Sequence, residues 1–166
     1  MNGHPSRPPP LEPEGLGFFN GIRGLPVAIG ALVDNAATIV LGLTVTGAIA
    51  SGYAEPDGTL SEEALEALSH HPTLLAASML IGTGCTALGG YVAGRMAGIH
   101  RLRHGAFVGL AAIALGLVSF ASAPGGSTSP LWYDLLSFLL LVPAGLLGGV
   151  ASGFGGAEER PDLVDR

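Results

Sequence analysis

The stretch from Ser78 to Gly98 constrains the fold of this chain more than any other segment. In water, each glycine inside a helix costs roughly 1 kcal/mol relative to alanine. In a lipid bilayer, small residues on one helix face let a second helix approach to backbone contact and gain dispersion and weak hydrogen bonds. Every fourth residue of this stretch is small, which gives a predicted packing face of Ser78, Gly82, Thr86, Gly90, Gly94 and Gly98. The stretch therefore predicts a membrane helix that packs closely against a neighbour.

The composition of the chain agrees with a membrane environment. Of its 166 residues, 48% are hydrophobic and 12% are charged, whereas soluble domains have about 25% charged residues. The length allows one domain. The net charge of −6 lies mainly in one connection and the two tails, and the basic patch that indicates a nucleic-acid partner is absent. We therefore expect the lipid bilayer as a partner and no nucleic acid.

Four apolar segments exceed the roughly 20 residues that a helix needs to cross the hydrocarbon layer. The predicted fold is an all-α polytopic transmembrane bundle over residues 25–155, with spans at 25–50, 72–98, 105–123 and 131–154. We expect a disordered proline-rich tail at 1–24, an acidic loop at 51–71 and a polar tail at 156–166. Within the loop, Thr59-Leu60-Ser61-Glu62 predicts a capping box that opens a short interfacial helix over 62–69.

The placement of arginine predicts how the chain is oriented. Cytoplasmic flanks of membrane helices carry an excess of arginine and lysine. If both termini are cytoplasmic, all seven cations fall on the same side of the membrane, namely Arg7, Arg23, Arg95, Arg101, Arg103, Arg160 and Arg166. We therefore expect a multi-pass protein of the bacterial inner (cytoplasmic) membrane with both termini in the cytoplasm.

Two pairs of segments suggest an internal repeat. Residues 30–37 (GALVDNAA) resemble 105–112 (GAFVGLAA), and residues 88–94 (LGGYVAG) resemble 147–153 (LGGVASG). The matches suggest a duplicated two-helix hairpin whose axis runs along the membrane normal. Chance similarity between glycine-rich spans is the alternative. The fourth span also carries a second small-residue face, made of Gly145, Gly149 and Gly153.

Asp34 is the most informative polar residue, because its predicted position lies about 13 Å inside the membrane at 1.5 Å per residue. A carboxylate near mid-bilayer costs about 2.5–3.5 kcal/mol on insertion scales, so it should face the bundle and have a partner. The candidate intramembrane polar site consists of Asp34, Asn35, Thr38 and Arg95. One interpretation is a proton or cation site to which Asn35, Thr38 and Thr46 supply oxygens. The other, which we favour because one carboxylate makes a poor relay, is a structural contact of Asp34 with Arg95 or with hydroxyl groups.

Histidine placement and catalytic motifs give no sign of an enzyme or a metal site. By the predicted topology, His70 and His71 lie on the external side of the membrane, whereas His100 and His104 lie on the cytoplasmic side without a third ligand. His104 is instead expected to cap the third span or to help the neighbouring arginines meet anionic headgroups. The sequence contains no nucleophile–base pair, P-loop or dinucleotide fingerprint. We therefore expect no cofactor, no metal and no enzymatic activity.

Five short motifs mark the apolar part of the chain: GALVD at 30–34, GGYVAGR at 89–95, HG at 104–105, WY at 132–133 and PAGLLGG at 143–149. Together they resemble a group of uncharacterised four-span bacterial integral membrane proteins over about residues 25–155. The resemblance implies the four-span topology and singles out Asp34, Tyr91 and Arg95. It implies no particular activity.

These observations lead to a prediction of function and one alternative. The leading prediction is a non-enzymatic membrane protein whose small-residue faces support helix packing, self-association or binding to another membrane protein. The alternative is a small proton- or cation-linked transporter or channel that uses Asp34.

Overall fold

The computed structural model describes residues 21–122 and 129–154, so the predicted tails and most of the third connection lie outside the described residues. Within these ranges all regular secondary structure is helical, and there are no strands. The helices are α1 (Gly24–Ala50), α2 (Glu62–Ser69), α3 (Pro72–Ala97), α4 (Arg101–Ser122) and α5 (Leu131–Phe154). All except α2 are long and apolar enough to span a membrane. The chain is a multi-pass membrane protein built as an all-α four-helix bundle.

The boundaries of the long helices match the predicted spans closely, except at the start of α4. The third span was predicted to begin at Gly105, whereas α4 begins four residues earlier, at Arg101. Gly98 ends α3 with a positive φ of 71°, a conformation that favours glycine. The basic connection is therefore only three residues long, and most of its predicted length is helical.

The short helix predicted in the acidic loop forms as α2, but with a different cap. Its N-cap is Ser61, whose hydroxyl accepts the Ala64 N–H at 3.2 Å. Thr59, the predicted cap, instead donates its hydroxyl and its N–H to the Asp57 carboxylate at 2.7 and 3.0 Å. These hydrogen bonds hold the pKa of Asp57 below its usual value. They are therefore kept at neutral pH and lost as the pH falls through that lowered pKa.

The four long helices occupy the corners of a rhombus. α3 and α4 lie on its short diagonal and contact each other, and α1 and α5 each pack against both of them. In the predicted repeat, α4 corresponds to α1 and α5 corresponds to α3. If the two hairpins were related by an axis along the membrane normal, the contact between α3 and α4 would have a counterpart between α5 and α1. No comparable contact joins α1 and α5 in the described part of the chain. The matched residues Gly89 and Gly148 also face different helices, α1 and α3, so the symmetric arrangement predicted from the repeat is wrong.

Among the described residues, charge separates the two ends of the bundle. The start of α1, the end of α3 and the start of α4 bring Arg23, Arg95, Arg101 and Arg103 to one end, which we call the basic end. The opposite, acidic end carries Glu55, Asp57, Glu62, Glu63, Glu66 and Asp134. The antiparallel order of the four helices produces this separation.

Tight packing is confined to the basic half of the bundle. The buried residues lie between Pro26 and Asp34 in α1 and between Cys85 and Ala97 in α3. In α4 and α5 they lie within 104–109 and 144–152. No residue in the other half of these four helices is buried. Residue burial is therefore concentrated near the basic end, whereas in the acidic half α4 and α5 still meet where a Cβ added to Gly116 would lie 2.8 Å from the Phe138 ring.

Backbone contact through glycine makes this packing possible. A Cβ added to Gly30 of α1 would lie 2.5 Å from the Gly89 carbonyl oxygen of α3. A Cβ added to Gly89 would likewise lie 2.5 Å from the Gly30 carbonyl oxygen. The Gly145 carbonyl of α5 is approached in the same way by Gly90 of α3 and by Gly105 of α4. Since these positions leave no room for a side chain, the helices meet backbone to backbone.

The predicted packing faces are used only in part. Thr86, Gly90, Gly94, Gly145 and Gly149 are buried. The other predicted members are not: Gly82 has no neighbour within 4 Å of a Cβ position, Ser78 is half-buried, Gly98 is exposed, and Gly153 has only the Arg101 side chain, at 3.7 Å. The structure instead adds the backbone contacts of Gly30, Gly89, Gly105, Gly109 and Gly148. The predicted faces therefore fail at both ends: Ser78 and Gly82 lie beyond the tightly packed part of α3, and Gly98 and Gly153 lie at helix ends.

A hydrogen bond joins α1 to α4 at the basic end. His104, in the first turn of α4, is 0% exposed. Its Nε2 accepts the N–H of Arg23, the N-cap of α1, at 3.0 Å, and its Nδ1 lies 3.0 Å from the His100 carbonyl oxygen. Because Nε2 accepts, Nδ1 carries the proton and donates to that carbonyl. His104 thus caps α1 and not its own helix, which corrects the sequence interpretation.

Arg101 joins the same end of the bundle. Its Nη1 donates to the Ser152 carbonyl of α5 at 2.7 Å, and its Nε donates to the Gly98 carbonyl at the end of α3 at 3.3 Å. Carbonyl groups at a helix C-terminus lack partners within the helix, and a cation there is also stabilised by the helix dipole. One side chain therefore connects the ends of α3, α4 and α5.

The glycine contacts can be tested with a matched pair of substitutions on α3. Gly90→Ala should lower the stability of the protein by about 1–3 kcal/mol, because its methyl group meets the Gly145 backbone. Gly82→Ala should leave stability unchanged or slightly raised, because that position is open. Thermal unfolding in detergent micelles, followed by circular dichroism, measures both. Equal effects of the two substitutions would contradict the packing.

The cap of α1 can be tested at His104. His104→Ala should lower stability by about 1–2 kcal/mol, since it leaves the Arg23 N–H without its acceptor. His100→Asn is the control, because it keeps the accepting carbonyl and suits the positive φ of 46° at that position. The same unfolding measurement applies. A loss of stability in the control alone would show that the cap is assigned to the wrong histidine.

Candidate functional site

The close approach of α1 to α3 positions Asp34. Gly30 and Gly89 bring the two helices into backbone contact, and Asp34 lies one turn after Gly30 on the same face. A Cβ added to Gly89 would lie 3.0 Å from the Asp34 Cβ. The Asp34 side chain is consequently held between the helices and is only 3% exposed.

Hydroxyl groups are the hydrogen-bond partners of Asp34. Thr86 of α3 donates to Asp34 Oδ1 at 3.1 Å, and Thr38, one turn further along α1, makes a longer contact with the same oxygen at 3.5 Å. The Thr86 hydroxyl also lies 3.0 Å from the Gly82 carbonyl oxygen. A hydroxyl has one proton to donate and two lone pairs that accept. Thr86 can therefore donate to an ionised Asp34, or donate to Gly82 and accept from a protonated Asp34.

Arg95 does not take part in this site. It is exposed, and it lies about 13 Å along α3 from Thr86 at 1.5 Å per residue. No basic side chain in the described ranges forms an ion pair with Asp34. The predicted pairing with Arg95 is therefore wrong, whereas the hydroxyl contact considered beside it is what the structure shows. The physical reason is that α3 points Arg95 outwards from the end of the bundle.

Of the two other residues predicted to supply oxygen ligands, Asn35 borders the site and Thr46 does not. Asn35 borders the site, and its amide NH₂ donates to the Ala31 carbonyl at 2.9 Å. Its amide oxygen accepts no hydrogen bond from the described residues. Thr46 is exposed and lies about 18 Å further along α1, at 1.5 Å per residue. Thr46 is therefore not part of the site.

A cavity of about 200 Å³ borders Asp34. All four long helices contribute to its wall, which is formed by Asp34, Asn35, Thr38, Gly82, Thr86, Ala112, Leu115, Gly116, Ser119 and Leu141. From Asp34 the wall runs towards the acidic end along α1, α3 and α4 alike. Asp34 thus lies at the floor of the cavity, where the packed half of the bundle gives way to the open half.

Sequence reasoning placed Thr86 on the packing face and did not identify it as the partner of Asp34. The available signal was its position as a hydroxyl residue at mid-span, because a hydroxyl in hydrocarbon needs an acceptor. Ser119 of α4, which borders the cavity, was not selected either. Nothing in its local sequence distinguishes it from other serines.

A second cavity of about 410 Å³ lies between α3 and α5 at the acidic end. Its wall is mainly apolar and includes Met79, Leu136, Trp132 and Tyr133, with His70 at its edge. The Trp132 and Tyr133 rings meet edge to face at 6.0 Å. Such a surface suits contact with lipid chains or with an apolar helix.

No protein-family model, curated protein or solved structure matches this chain. The fold is that of a small multi-pass membrane protein, and the cavity at Asp34 gives it a buried acidic site. The functional argument therefore depends on the geometry of that site.

The contacts of Asp34 can be tested by infrared spectroscopy of its carboxyl group, identified by subtraction of the Asp34→Asn spectrum. Thr86→Val should shift the band and lower stability by about 1–2 kcal/mol, because it removes the hydroxyl at 3.1 Å. Arg95→Gln should change neither. If Arg95→Gln shifts the band as much as Thr86→Val does, Asp34 has a basic partner and the described geometry is wrong.

Proposed function

We propose that the protein is a small proton- or cation-linked carrier or channel in which Asp34 binds the transported ion. The observation that supports this most strongly is a carboxyl group, 3% exposed, at the floor of a cavity and without a basic partner in the described chain. Residues of this kind inside membrane spans mark ion or substrate pathways. The proposal takes up the alternative prediction from the sequence.

The charge of Asp34 supports this assignment. An uncompensated carboxylate in the hydrocarbon region costs about 2.5–3.5 kcal/mol on insertion scales. Since no arginine in the described chain neutralises it, a proton or a cation must do so, and the cavity extends from Asp34 in the direction of the acidic end. Thr86 can satisfy both the charged and the neutral carboxyl group. A site that is satisfied in two charge states is suited to bind and release an ion.

The packing weakens the case for self-association through the predicted faces. Gly90, Gly94, Gly145 and Gly149 are buried inside the bundle, so they are not free to contact a second chain. A different surface supports an interaction role as a second candidate. Gly42 and Gly47, in the acidic half of α1, have nothing within 4 Å of a Cβ position. This part of α1 could receive a helix of another membrane protein or of a second copy.

We further propose that the basic end faces the cytoplasm of a bacterial cell, with the chain in the inner membrane and both termini inside. The arginines at that end support this orientation, which follows the positive-inside rule. The cavity at Asp34 would then open towards the outside. In this proposal the protein is not an enzyme and needs no cofactor, and the motif resemblance to four-span bacterial proteins agrees with it.

Ion flux in proteoliposomes tests the proposed function. The full chain should produce a pH-dependent flux of protons or alkali cations, reported by dyes trapped inside the vesicles, and Asp34→Asn should reduce it at least tenfold. Asp134→Asn is the matched control, because Asp134 lies in the first turn of α5 at the acidic end, and it should leave the flux unchanged. Absence of flux from the wild-type protein under every imposed gradient would contradict the proposal.

A further inference from the structure

We infer that the ion held at Asp34 is a monovalent alkali cation, bound with part of its water shell. This inference rests on the proposed function and names the ligand of the same site. It excludes a proton as the sole ligand, divalent cations, and organic cations that carry a bulky group.

The arrangement of oxygen atoms supports a cation. Thr38 and Thr86 both contact Oδ1 of Asp34, and Oδ2 accepts no hydrogen bond from the part of the chain that the structure describes. The amide oxygen of the neighbouring Asn35 also accepts no hydrogen bond from the described residues, and its amide NH₂ donates to the Ala31 carbonyl. A proton occupies a single carboxylate oxygen, whereas a hard cation coordinates the carboxylate together with hydroxyl lone pairs and water.

The charge of the cavity selects a monovalent ion. Asp34 is the only charged side chain that the described residues contribute to its wall. One positive charge neutralises it, whereas a divalent cation would leave one uncompensated charge in a low-dielectric site. The wall contributes no histidine or cysteine, and its polar groups are oxygen-bearing carboxyl, amide and hydroxyl groups. Oxygen ligands of this kind suit hard cations and not soft metals.

The volume of the cavity limits the size of the ligand. It is about 200 Å³, smaller than the roughly 300–1,000 Å³ of pockets that bind drug-sized molecules. The space beside Asp34 is therefore small for a bulky organic cation. At about 30 Å³ per water molecule, the cavity has room for about six waters, which is enough for an alkali cation that keeps part of its hydration shell.

A cation and a proton compete for the same carboxyl group in this arrangement. Binding of the cation requires the ionised carboxylate, so it releases the proton wherever Asp34 was protonated beforehand. Cation affinity should therefore rise with pH until the site is fully ionised.

The experiment is isothermal titration calorimetry of the purified full chain in detergent micelles. NaCl is titrated at pH 8, with choline chloride keeping the ionic strength constant. We expect saturable binding of one sodium ion per chain, its loss in Asp34→Asn and a reduction of affinity of at least tenfold in Thr86→Val. Thr86→Ser, which restores the hydroxyl, should restore the affinity. Thr44→Val, at an exposed position of α1 outside the cavity, should bind as the wild type does.

Several outcomes would overturn the inference. If sodium, potassium and lithium all fail to bind while the Asp34 carboxyl band titrates with pH, the ligand is a proton alone, and the proposed function stands as proton-linked. Sodium binding that persists in a folded Asp34→Asn variant would place the cation elsewhere, and displacement of sodium by equimolar magnesium would refute the charge argument. Circular dichroism and gel filtration of each variant separate loss of binding from loss of folding. Conversely, Asp34-dependent binding without any flux would support the inference and refute transport.

Discussion

Backbone contact between glycines at the basic end is the interaction on which the rest of the structure depends. Lipid surrounds the helices with a medium as apolar as their own side chains, so the hydrophobic effect does not drive them together, and close approach must supply the attraction. The Gly145 carbonyl illustrates this, since Gly90 and Gly105 approach it from two different helices. Beyond these contacts, the acidic half of the bundle has no buried residue in its long helices.

The boundary between these two halves explains the location of the polar site. The contact of Gly30 with Gly89 draws α1 onto α3 just before Asp34, so the carboxyl group is removed from lipid. One turn further on, the helices no longer pack tightly, and the cavity begins. At this boundary Asp34 is buried and also borders a cavity. The site is therefore a consequence of where the tight packing stops.

The basic end is reinforced in a second way, by hydrogen bonds that join the ends of helices. His104 accepts from the start of α1, and Arg101 donates to the ends of α3 and α5. Helix termini carry backbone groups without partners in the helix, so each of these bonds satisfies a group that would otherwise need water. The basic half is thereby fixed by backbone contacts and by caps, whereas the acidic half has few buried contacts and is the part in which we expect motion.

The sequence by itself determined the four spans, the opposite charges of the two ends and the short helix in the acidic loop, because length, hydropathy and capping are local properties of the chain. It also indicated that Asp34 faces the bundle, since a carboxylate exposed to lipid is costly. Only the tertiary structure decided that Thr86, and not Arg95, is its partner, that the packing face fails at Gly82, and that the repeat gives no symmetric bundle. Adjacent glycines such as Gly89 and Gly90 offer two faces about 100° apart on one helix. Which face meets which neighbour depends on the rotation and register of all four helices, and these are fixed only when the helices pack together.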